Sequence, residues 1–84
     1  MTHQIFVVDD HPLMRRGYRS LLESHSDLRV CGEAGSVKEA LTGLKELKPD
    51  LVIADIALGE SSGLDLIRRL HSREPDLPIL VVSL

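Results

Sequence analysis

Asp9 and Asp10 directly follow the apolar run Ile5-Phe6-Val7-Val8, and Asp55 directly follows Leu51-Val52-Ile53-Ala54. Ser83 closes a third such run, Ile79-Leu80-Val81-Val82. Short β-branched runs of this kind suit strands buried on both faces. If the first and third strands are neighbours in a parallel sheet, the three carboxylates meet at one end of it. Like charges that close raise a pKa or demand a cation. Oxygen-only donors in a partly open site suit Mg²⁺, which keeps several waters and needs one or two carboxylates plus a phosphate. A carboxylate is also a nucleophile for phosphoryl transfer, a chemistry made mostly of positioning and charge neutralisation. Asp55 would attack phosphorus, Asp9 and Asp10 would hold the metal, and Ser83 would donate a hydrogen bond to a phosphoryl oxygen. Each residue alone has a plainer reading: Asp10 as a helix cap before Pro12, Asp55 as a loop residue, Ser83 as a solvated serine. No pair among His3, His11, His25 and His71 has zinc-ligand spacing with a cysteine partner.

The elements that must position these groups alternate along the chain. Pro12 starts a helix over residues 12–24, with Met14, Tyr18, Leu21 and Leu22 at helical spacing. A less regular strand follows over residues 28–34. Ser36 and Glu39 form a capping box ahead of the stripe Val37, Ala40, Leu41, Leu44 and Leu47, which Pro49 ends. After the small-residue loop 59–63, Ser62 and Asp65 cap a third helix carrying Leu64, Ile67 and Leu70. Pro75 and Pro78 bracket the turn into the last strand. This alternation predicts right-handed βαβ units and a parallel sheet, whose ligands bind beyond the carboxyl ends of the strands.

Composition narrows the function further. A chain of 84 residues is one small domain, burying roughly 60–65 % of its surface and marginally stable. Phe6 and Tyr18 are its only aromatic residues, which leaves little for base stacking. The formal charge of −3 gives no electrostatic footprint for nucleic acid. The doublets Arg15-Arg16 and Arg68-Arg69 read as solvated helix faces. Cys31 is single, excludes an internal disulfide, and reads as a buried structural thiol. Neither a signal peptide nor a membrane span is visible, so a cytoplasmic location is expected.

The segments Val7-Val8-Asp9-Asp10-His11-Pro12, Asp55-Ile56-Ala57-Leu58 with Gly63-Leu64, and Leu80-Val81-Val82-Ser83 together resemble the receiver domain of two-component response regulators. Asp9-Asp10-His11-Pro12-Leu13 followed by Arg16-Gly17 is most similar to receivers that carry a LuxR-type helix-turn-helix output domain. The resemblance covers the whole chain. It implies a flavodoxin-like fold of strand order 2-1-3-4 and a phosphoryl group taken on Asp55 from a sensor histidine kinase. It further implies that Asp10 binds Mg²⁺ directly, Asp9 through water, and Ala57 through its backbone carbonyl. Ser83 would be the hydroxyl residue that reports phosphorylation. Transcription would be regulated by an output domain outside this chain, with no nucleic acid contact by the chain itself and no membrane partner.

The sequence departs from the family at Gly59, where proline is usual, and at Ser62, where Asp or Asn is common. It also ends after the fourth strand, so the family's fourth helix, fifth strand and fifth helix have no counterpart among residues 1–84. The fifth-strand lysine that pairs with the phosphoryl group is among these. A charge-assisted hydrogen bond of that kind contributes about 1.5–3 kcal/mol, and without it the phosphorylated state should be weaker while the metal site persists. The apolar fourth strand would then be a sheet edge inviting homo-oligomerisation. A receiver-like binding or oligomerisation module that no longer signals by phosphorylation is accordingly the main alternative, and Mg²⁺ titration separates the two. A haloacid-dehalogenase-type phosphatase needs a second acid two residues after its nucleophile. Asp9 is followed there by His11 and Asp55 by Ala57, so an enzyme is not expected.

Overall fold

The computed structural model describes residues 2–55 and 63–82. In chain order the elements are β1 (His3–Val8), α1 (Pro12–Glu23), β2 (Leu28–Ala34), α2 (Val37–Glu46), β3 (Leu51–Asp55), α3 (Gly63–Arg73) and β4 (Ile79–Val82). All strand pairs are parallel and the order is β2-β1-β3-β4, the flavodoxin-like arrangement expected from the sequence.

The apolar runs have no polar alternation because both faces of the sheet are covered. Side chains still alternate in direction along each strand. Phe6, Val8, Val52 and Ala54 join Ala40, Leu66 and Leu70 in one core layer, which lies under α2 and α3. Ile5, Val7, Val30 and Ile53 form the other layer, against which Tyr18 and Leu22 of α1 pack. Phe6 fixes the spacing of the first layer. A Cβ on Gly32 would lie 2.8 Å from the Phe6 ring and one on Gly43 3.1 Å from it, so these two glycines leave the room the ring occupies.

Local bonds set the element ends. Ser36 Oγ accepts from Glu39 N at 3.1 Å, and Glu39 Oε2 accepts from Gly35 N at 3.1 Å, which caps α2 as its sequence predicts. α2 ends at Glu46, ahead of Pro49. β1 begins at His3, two residues earlier than its apolar run. His3 N donates to Asp27 O at 2.8 Å, and Gln4 N donates to the Asp50 carboxylate at 2.6 Å. These bonds to residues just before β2 and β3 hold this polar start, where hydrophobic pattern gives no signal.

β2 is irregular for a definable reason. Its register with β1 runs from Ile5↔Val30 to Phe6↔Gly32, so Cys31 is a bulged residue without an opposite partner. The sequence reading of Cys31 as a buried thiol is corrected: on this outer strand it is only partly covered. Burial is nonetheless the main influence on its thiol and pushes the pKa up. β4 is the other outer strand, with Leu80 and Val81 half exposed. Among the described residues no helix is long and apolar enough to cross a membrane.

Candidate functional site

Because β1 and β3 are parallel neighbours in the register Val8↔Ala54, the residues that follow those positions, Asp9 and Asp55, meet at the carboxyl end of the sheet. They are the two buried charged side chains among the described residues, at 2 % and 8 % exposure. Asp9, Asp10, His11 and Asp55 each offer one ligand atom, and these atoms all lie within 4.8 Å of one another.

Asp9 is held by several bonds. Its N–H donates to Ala34 O at 3.0 Å and its carbonyl accepts from Arg15 Nη1 at 2.6 Å. Its Oδ1 accepts from His11 N at 2.9 Å and lies 2.8 Å from His11 Nδ1. The N-cap of α1 is His11, which makes no side-chain cap bond, so Asp10 does not serve as the cap. The plainer reading of Asp10 is thereby removed. Asp10 Oδ1 also stands 2.8 Å from His11 Nδ1, yet it is shielded from solvent and has no hydrogen bond of acceptable geometry. Nδ1 carries a single proton, and the better-aligned acceptor for it is Asp9. A buried carboxylate oxygen left without a donor is costly. It is a group that a cation would satisfy.

Electrostatics at the pocket follow from this crowding. The hydrogen bond to Asp9 and then the charge of Asp10 raise the pKa of His11 above its ordinary value of 6.5; desolvation opposes them, and the charges of Asp9 and Asp55 add smaller upward contributions. Burial, reinforced by the charges of Asp9 and Asp55, raises that of the Tyr18 hydroxyl. The sign of the His11 effect is definite. Its folded-state value is above the unfolded one, so its stabilisation is fully present below pH 6.5 and fades as pH rises through the raised value. In metal-free protein, a thermal-melt series across that window should show stability falling with pH, and His11→Gln should flatten the fall. An unchanged slope in the variant would contradict this account of the imidazolium.

The sequence brought Asp9, Asp10 and Asp55 forward, and the structure brings them together. Ala57 and Ser83 lie outside the described residues, as do Gly59 and Ser62. Two participants were missed. His11 belongs to the cluster; the signal available was its place two residues after Asp9, the spacing of an Asx turn. Arg15 was read as part of a solvated face. It turns inward instead, bonding Asp9 O and lying 3.4 Å from Glu33, whose other oxygen takes Arg19 at 2.6 Å. Glu33 is on β2, so this network exists only after folding. Arg16 is exposed as expected.

A parallel sheet with buried acids at the ends of β1 and β3 has a counterpart among known families: the response regulator receiver domain matches residues 5–84. The chain belongs to that family. The transcriptional activator DevR/DosR of Mycobacterium tuberculosis is 42 % identical to this receiver over 80 residues, 95 % of this chain and 37 % of its own length. A LuxR-family two-component response regulator from Aurantimonas sp. SI85-9A1 superimposes with a TM-score of 0.92 at 34 % identity, over 99 % of this chain and 59 % of that one. RcsB of Salmonella enterica serovar Typhimurium, solved on a promoter with phosphomimetic BeF3−, gives a TM-score of 0.89 at 26 % identity, over 99 % and 43 %. This receiver thus spans only part of each relative's length.

Proposed function

We propose that this receiver accepts a phosphoryl group on Asp55 from a histidine kinase, with Mg²⁺ held by Asp9, Asp10 and Asp55. The observation that carries the reading is the convergence of the three carboxylates, one of them with the unsatisfied oxygen Asp10 Oδ1. The donor set is dominated by carboxylate oxygens, which fits a hard divalent cation.

A carboxylate oxygen of Asp55 attacks phosphorus, the bond to the donor's leaving group breaks, and an acyl phosphate results. Bound Mg²⁺ supplies neutralisation of charge on the phosphoryl oxygens. The protein supplies positioning: β3 fixes Asp55 beside Asp9, and Arg15 and the α1 N-terminus fix Asp9. The backbone carbonyl of Ala57 would complete the metal site, and the hydroxyl of Ser83, the next residue after β4, would bond the phosphoryl group. The output is transcriptional control through an adjoining helix-turn-helix domain. The promoter-bound state of RcsB and the activator role of DevR/DosR support that assignment.

Incubation with acetyl phosphate and Mg²⁺ should add the mass of one phosphoryl group to the parent protein and none to Asp55→Asn. An adduct of equal yield in Asp55→Asn would move the site elsewhere.

A further inference from the structure

At the opposite end of the sheet from Asp55, the C-terminal turns of α2 and α3 border a cavity of about 200 Å³. It lies beside Pro49 and Leu77, which lead into β3 and β4. Its apolar walls come from Leu44, Leu47, Leu70 and Leu77, and its rim carries Lys45, Lys48 and Arg73 with one acid, Glu74. Two adjoining depressions, which share Arg73 with it, are lined by Lys38, Arg68 and Arg69. All three lysines of the chain and three of its seven arginines therefore border one groove, in a chain of net charge −3.

These cations are not used internally. Arg69 pairs with Asp65 at 3.0 Å. Lys38, Lys45, Lys48, Arg68 and Arg73 are exposed and form no ion pair within the described residues. Of the acids lining the groove, Asp65 is the one paired with Arg69, and Glu74 stands on the cavity rim beside Arg73, so basic side chains outnumber acidic ones there.

We propose that the α2–α3 groove docks an acidic helical segment of a partner protein, which inserts one bulky apolar side chain into the cavity. The cavity is below the ~300–1,000 Å³ usual for small-molecule sites, but it suits a single anchor side chain of the kind that dominates helix-in-groove binding. The two basic ridges provide the complementary charge, which governs orientation and on-rate. Nucleic acid is a poorer match, because both aromatic residues, Phe6 and Tyr18, lie on other elements and offer the groove no stacking surface.

The probe is a fluorescein-labelled peptide, Asp-Glu-Glu-Leu-Phe-Glu-Glu-Leu-Glu, followed by anisotropy in low salt. Saturable binding is expected, weakened about tenfold or more by Lys45→Glu with Arg73→Glu, and unchanged by Arg16→Glu on α1. Replacing the probe's phenylalanine by alanine should weaken binding comparably, and this arm needs no change in the protein. Failure to saturate, or equal binding of the alanine probe, would overturn the proposal. So would capture of phosphatidylglycerol vesicles or a DNA duplex through Lys45 and Arg73 in place of the peptide. None of these outcomes depends on phosphorylation at Asp55.

Discussion

Phe6→Ala is expected to leave the protein largely unfolded at 25 °C. Phe6 is 1 % exposed and heads the fully buried side chains by volume. It occupies the space that Gly32 and Gly43 leave open and packs against Ala40, Leu66 and Leu70 in the layer under α2 and α3. Truncating a buried phenylalanine costs about 3–5 kcal/mol through lost transfer energy and the cavity left behind. A domain of this size has in total only about 4–13 kcal/mol, and small domains sit low in that range. Urea unfolding followed by far-UV circular dichroism should show the midpoint collapse toward zero denaturant. A midpoint within error of the parent would mean that the core is not organised around this ring.

Asp10→Asn is expected to act in opposite directions on metal affinity and on the metal-free fold. Asp10 contributes no cap to α1, and its buried Oδ1 is unsatisfied, so the carboxylate does little for the fold itself. It stands in a cluster with Asp9 and Asp55, where a third negative charge is repulsive. Neutralising it should raise the melting temperature without metal, measured at a pH where His11 is uncharged. It should also lower Mg²⁺ affinity by roughly one to two orders of magnitude. Asp9→Ala should weaken Mg²⁺ equally but lower the melting temperature, because Asp9 also accepts from His11 N at 2.9 Å. Calorimetric titration with MgCl₂, paired with melts of the metal-free proteins, separates the two residues. Equal behaviour of both variants without metal would contradict the division of labour described for them.

Much of this was legible in the sequence, for identifiable reasons. β2 and β4 begin and end where the apolar residues do, and the strand order followed from the family resemblance together with the alternation of elements. The acids were legible because each is placed directly after a buried run, where strand adjacency alone brings carboxylates together. What stayed hidden depends on contacts distant in sequence. β1 starts at His3 because Asp50 and Asp27 bond its backbone. Cys31 is bulged because β2 must shift register against β1. Arg15 leaves the solvated face because Glu33 arrives beside it from β2. His11 stands in the sequence reading as a zinc-ligand candidate, in the family motif and in the phosphatase comparison, but not in the acidic cluster, although its short range to Asp9 is present in the spacing.

Asp55, and neither Asp9 nor Asp10, should carry the phosphoryl group. Borohydride reduction of the acetyl-phosphate-treated protein converts an aspartyl phosphate to homoserine, which peptide mass mapping locates. Homoserine in place of Asp55, appearing only when Mg²⁺ is present, is the predicted result. Homoserine in place of Asp9 or Asp10, or equal yield after chelation of Mg²⁺, would contradict it.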